Sequence, residues 1–140
     1  MKKNNQELID QFNKDGYIFF ENALSDDQLL AVNEQLAAWV EESKSHNKNF
    51  GEIMDGRPRF DLELKSHTSE TPAVRRITSP AEISDICLDV VKDNNALDLV
   101  ADIFGPNITH LGNKINLKLP SSGTEVKFHQ DFPFEPHSNQ

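Results

Sequence analysis

The hydrophobic period of this chain changes once, at Gly105-Pro106. Before that point apolar residues recur mainly at helical spacing. After it, Ile115, Leu117 and Leu119 alternate with Lys114, Asn116 and Lys118, the period of two that puts successive side chains on opposite faces of a strand. A chain patterned this way builds its helices first and its sheet last. That order defines an α+β fold, with the sheet only begun by residue 140.

Residues 5–14 carry Leu8, Ile9 and Phe12 on one helical face, with Gly16 as the stop. Tyr17-Ile18-Phe19-Phe20 is rich in β-formers and predicts a short buried strand. Ser25-Asp26-Asp27-Gln28 is a capping box, opening a helix to residue 43. Leu29, Val32, Leu36, Trp39 and Val40 recur along that helix at core spacing. Residues 45–79 lose periodicity around Gly51, Gly56, Pro58 and Pro72. They predict a long loop with a short strand near residues 60–64, serving either as a lid over a site or as a surface excursion. Ser79-Pro80-Ala81-Glu82 predicts an N-cap and a helix to residue 92 that buries Ile83, Ile86, Cys87 and Val90. A further helix covers residues 96–104. Strands follow at 107–119 and 125–132, joined by a turn at 120–124.

Composition narrows the function classes. A length of 140 residues suits one domain, 1–140, helical over 1–105 and sheet-forming over 106–140. The net charge of −9 and pI near 4.9 argue against a nucleic-acid partner, because phosphate contacts need clustered cations, and disfavour an anionic membrane surface. No apolar run approaches the roughly 20 residues of a membrane span, and no apolar core follows the two N-terminal lysines to make a signal peptide. The single cysteine, Cys87, cannot form an internal disulfide. It fits a reducing, cytoplasmic setting and reads as a buried, inert thiol.

The candidate chemistry lies in His129-Gln130-Asp131. On extended chain, residues i and i+2 point the same way, so the imidazole and the carboxylate can converge on one ion. Nitrogen plus carboxylate oxygen suits a divalent metal such as Fe(II), and a second His would complete a facial triad with open positions. Alone the triplet decides little. With five His and twelve Asp in the chain, about half an H-x-D is expected by chance.

Its surroundings raise its weight. Phe104-Gly105-Pro106-Asn107-Ile108, Asn113-Lys114-Ile115-Asn116-Leu117-Lys118-Leu119-Pro120, and Phe128-His129-Gln130-Asp131-Phe132-Pro133-Phe134-Glu135-Pro136-His137-Ser138-Asn139 together resemble the phytanoyl-CoA dioxygenase family of Fe(II)- and 2-oxoglutarate-dependent oxygenases. Phe12-x-x-Asp15-Gly16-Tyr17-Ile18-x-x-x-Asn22-x-Leu24-Ser25 is similar to that family's opening. The resemblance implies N-terminal helices packed on the first strands of a double-stranded β-helix (jelly-roll). It implies His129 and Asp131 as two iron ligands, and O₂ and 2-oxoglutarate as co-substrates. Lys114, Gln130 and Arg76 match the family's 2-oxoglutarate-binding positions loosely, and for Lys114 and Arg76 a structural or solvated charge stands as an equal reading. The family's second His and its distal Arg fall beyond residue 140, which implies a fragment with an incomplete site, inactive by itself. A non-catalytic interaction or regulatory domain derived from the scaffold, and a cupin-type metalloenzyme without 2-oxoglutarate, remain as alternatives.

Related iron halogenases lack the carboxylate, so Asp131 implies hydroxylation of a small organic substrate. Neither His137 nor His110 reads as the third ligand: His137 reads as a residue supporting the site or on the surface, and His110, on the adjacent strand, as a packing or hydrogen-bonded residue. His46 and His67 read as solvated loop residues.

Overall fold

Four helices and a four-stranded antiparallel sheet make up the α+β architecture of the computed structural model, which describes residues 5–131. Helix α1 spans Asn5–Asp15 and α2 spans Asp26–Ser43. The capping box of α2 forms as its sequence requires: Gln28 N–H donates to Ser25 Oγ at 3.1 Å and Ser25 N–H to Gln28 Oε1 at 3.0 Å. Of the apolar stripe, Trp39 is buried and Leu36 and Val40 pack beside it, while Leu29 at the first turn is exposed. Among the described residues no helix is long and apolar enough to cross a membrane.

The expected long loop is the heart of the sheet. Strands β1 (Phe50–Met54), β2 (Arg57–Leu62) and β3 (Val74–Thr78) form a meander, and β4 (Lys114–Asn116) adds to β3, in the order β1-β2-β3-β4. Asp55 and Gly56 join β1 to β2, both with positive φ (49° and 77°). This is the two-residue turn whose twist matches that of a hairpin. The lid reading is therefore corrected: most of residues 50–78 are paired strands. Two register shifts break the alternation, one in β1 between Phe50 and Ile53 and one where Asp61 and Leu62 of β2 face Arg76 and Val74. Bulges of this kind disguise the period of two.

Cross-strand rows decide what each face carries. Phe60, Ile77 and Ile115 form one row, and with Trp39, Leu62, Val74 and Cys87 they make the core beneath α2 and helix α3 (Asp85–Lys92). Phe50 stacks on Phe60 with ring centroids 4.6 Å apart, and Trp39 meets Phe60 edge-on at 5.9 Å. The opposite face carries the polar row Asp61, Arg76 and Asn116. Cys87 is buried and free, as expected. Helix α4 (Leu97–Phe104) packs on α1 through an edge-on Phe12–Phe104 contact and an Asn5 to Asp102 hydrogen bond.

Other expectations give way for local reasons. Residues 17–20 do not form a strand: no neighbour pairs with them, and Tyr17 and Phe19 stand exposed, touching edge-on. Ser79 is not a helix cap. Its φ and ψ are 49° and 51°, its side chain makes no cap bond, and Pro80–Glu82 is a single 3₁₀ turn. Ser84 caps α3 instead, its Oγ accepting from Cys87 N–H at 3.3 Å. Buried Arg59 explains the break, because its Nη1 donates to the Thr78 and Ser79 carbonyls at 3.1 and 2.8 Å and holds the chain out of helix there. The expected strand over 107–119 is paired only at Lys114–Asn116. Residues 125–131 form no ladder, and Phe132, the end of the second expected strand, lies outside the described residues.

Candidate metal-binding segment

After β4 the chain turns at residues 119–122, where Ser122 N–H donates to the Leu119 carbonyl at 3.1 Å. Ser122 is buried. Its carbonyl accepts from Ser66 Oγ, and its hydroxyl bonds Thr124. These contacts tie the turn to the β2–β3 connection and direct the chain that follows. Further along, His129 and Asp131 meet: Nε2 lies 3.2 Å from Asp131 Oδ1. The two side chains approach each other there without a partner strand.

The imidazole is oriented by its other nitrogen. His129 Nδ1 is 2.6 Å from the Lys127 carbonyl, which can only accept. With Nδ1 facing that carbonyl, Nε2 is turned toward the carboxylate. A backbone carbonyl fixing one ring nitrogen is the usual support of a metal-binding His. An imidazole nitrogen and a carboxylate oxygen, here 3.2 Å apart, are donor types that could hold a divalent metal together. Both side chains are open to solvent, Asp131 at 87% and His129 at 44%. Among the described residues no three His, Cys, Asp or Glu side chains come together as a metal-binding group. His137 and the Phe132–Asn139 part of the resemblance lie outside the described residues.

The other expected site residues are distributed over the sheet. Arg76 on β3 stands opposite Asn116 on β4, and Lys114 stands opposite Thr78, so Arg76 and Lys114 share the face away from the core. Arg76 Nη2 is 3.0 Å from Asp61 Oδ2, an ion pair that engages one side of its guanidinium. Gln130 is exposed between His129 and Asp131.

His67 and His46 depart from the solvated roles expected of them, and exposed His110 from the packing expected of it. His67 is held by three backbone groups: Ala73 N–H donates to Nδ1 at 2.9 Å, and Nε2 donates toward the Ser43 and His46 carbonyls at 3.2 and 3.0 Å. It closes the C-terminus of α2 against the β2–β3 connection. His46 stacks on Phe50 at 3.8 Å. His110 is exposed. Arg59, which the sequence reading passed over, is the most enclosed cation, its side chain 4% exposed and paired with Glu52 and Glu82 at 3.0 Å each. Its signal was its position next to Phe60 within an alternating run.

A helical layer lies on an antiparallel sheet, and an exposed His-x-Asp segment follows it. The sequence profile of the family "Phytanoyl-CoA dioxygenase (PhyH)" matches residues 12–140, and this chain belongs to that family of 2-oxoglutarate-dependent oxygenases. Among curated proteins it is similar to a "Probable alpha-ketoglutarate-dependent hypophosphite dioxygenase" of Stutzerimonas stutzeri, 30% identical over 106 residues, which cover 76% of this chain and 36% of that protein. The matched part thus spans about a third of the length of that relative. No solved structure matches the chain.

Proposed function

We propose that this chain carries the iron-binding edge of an Fe(II)- and 2-oxoglutarate-dependent hydroxylase acting on a small organic substrate. His129 Nε2 and Asp131 Oδ1 are the two metal donors, in a single domain whose sheet is the start of a jelly-roll. The observation that carries this reading is the 3.2 Å approach of those two atoms with the ring held from behind by Lys127. Family membership supports it. The donor set fits iron, since imidazole plus carboxylate suits a borderline divalent ion and leaves positions for a chelating co-substrate and O₂. When bound, iron with 2-oxoglutarate and O₂ supplies oxidising power for C–H hydroxylation, chemistry that belongs to the cofactor. Asp131 supplies the carboxylate that related halogenases lack, which favours hydroxylation.

The protein's part is to orient. Lys127 fixes the ring, and Lys114, Gln130 and Arg76 are the proposed donors to the two carboxylates of 2-oxoglutarate. A dicarboxylate needs cations or amide N–H groups in fixed positions. Arg76 is steadied by Asp61, and Lys114 stands on the same sheet face one strand away.

Co(II) titration of the full chain, followed by visible absorption, tests the pair. Binding is expected to weaken roughly tenfold or more in His129→Ala, and in Asp131→Ala to a similar extent, as a lost ligand requires. Undiminished Co(II) binding in His129→Ala would remove the assignment. Any Fe(II)-dependent succinate release is expected to vanish in the same variant.

A further inference from the structure

Of the fourteen cationic residues of this acidic chain, four are arginines, and all four lie on β2 and β3: Arg57, Arg59, Arg75 and Arg76. Arg59 is consumed by the two glutamates and two carbonyls already described. The other three line a cleft of about 310 Å³ with Asn49, Pro58 and Asp61. We propose that this cleft binds a compact oxyanion, a phosphate-type or carboxylate group, between Arg57 and Arg75.

The first support is the bulge. Consecutive residues on a regular strand point to opposite faces, yet Arg75 Nη1 and Arg76 Nη2 both reach the same oxygen, Asp61 Oδ2, at 3.3 and 3.0 Å. The register shift facing Asp61 and Leu62 makes this possible, since a bulge re-aims a side chain. Its result is a second guanidinium in the cleft.

The second support is charge and unspent donors. Three guanidinium groups line the cleft with one carboxylate, which pairs with Arg75 and Arg76 through one oxygen while the other accepts from Asn49 Nδ2 at 2.9 Å. Asn49 is in turn locked by accepting from Leu62 N–H. Asp61 therefore cannot neutralise the cleft. Each guanidinium carries five N–H donors. Among the described residues Arg75 spends one, on Asp61, and its side chain is 46% exposed. The guanidinium of Arg57 has no hydrogen-bond or ion-pair partner among those residues. Planar forks in this arrangement match the paired oxygens of a carboxylate or phosphate. The volume is at the lower end of ligand sites, suited to a small anion. The cleft does not depend on the iron assignment.

Calorimetric titration of the full chain with inorganic phosphate and, separately, with acetate, at fixed ionic strength, tests the site and tells the two sources apart. At least one anion is expected to bind at one site per chain. Its affinity is expected to fall about tenfold or more in Arg57→Ala and in Arg75→Ala, the cost of losing a charge-assisted hydrogen bond. Lys48→Ala, which alters the separate cavity at the end of α2, is expected to leave it unchanged. Binding of neither anion, or equal binding in both arginine variants, would overturn the proposal. Displacement of the bound anion by 2-oxoglutarate would overturn it too, since the cleft would then be the co-substrate's.

Discussion

Gly51 shows how much one residue can decide in this chain. Its φ is +87°, and a Cβ there would stand 3.0 Å from the Phe60 ring and 3.2 Å from Arg59 Cβ. Glycine is required twice over, for the conformation and for the close approach. Gly51→Ala is expected to lower unfolding stability by about 1–3 kcal/mol, measured by urea denaturation. A change within a few tenths of a kcal/mol would mean that the β1 bulge relaxes freely. At this scale the approach of His129 and Asp131 needs no tertiary context, because i and i+2 on extended chain point the same way. The role of His67 was not legible in the sequence, because its three backbone partners, Ser43, His46 and Ala73, come from both ends of the β1–β2 hairpin.

Among elements, α2 is the most locally specified. Its capping box, its apolar face and its end at Ser43 follow from short-range rules, and all three are present. Ser25→Ala removes the oxygen that accepts from Gln28 N–H and is expected to cost about 1 kcal/mol, read as a lower midpoint in thermal melts followed by far-UV circular dichroism. An unchanged midpoint would show that packing alone holds the first turn. The sheet is the opposite case. Asp55-Gly56 was the available signal, since Asp-Gly between β-formers marks a two-residue hairpin. It was masked because Pro58 and the two bulges break the alternation on either side. The false strand at residues 17–20 has the complementary cause: β-propensity is present, but a strand exists only beside a partner.

For the whole molecule, the contact between layers passes through Trp39, 6% exposed, on α2 against Phe60 of β2. Trp39→Ala is expected to cost about 3–5 kcal/mol and to lower the denaturation midpoint accordingly. As the single tryptophan, Trp39 also reports directly, and its emission should shift on unfolding in step with the loss of helix signal if the layers melt together. Separate transitions would show that the helices and the sheet fold independently. The positions of α1, α2 and α4, the cap of α2 and the buried thiol were determined by sequence alone, because each depends on residues within about one helical turn of one another. The tertiary structure alone decided that residues 50–78 are the centre of the sheet, that Arg59 is a buried anchor, and that Arg57, Arg75 and Arg76 line one cleft. Those outcomes rest on pairings between distant strands, and the bulges that shift register there erase the periodic signal by which a strand announces its faces.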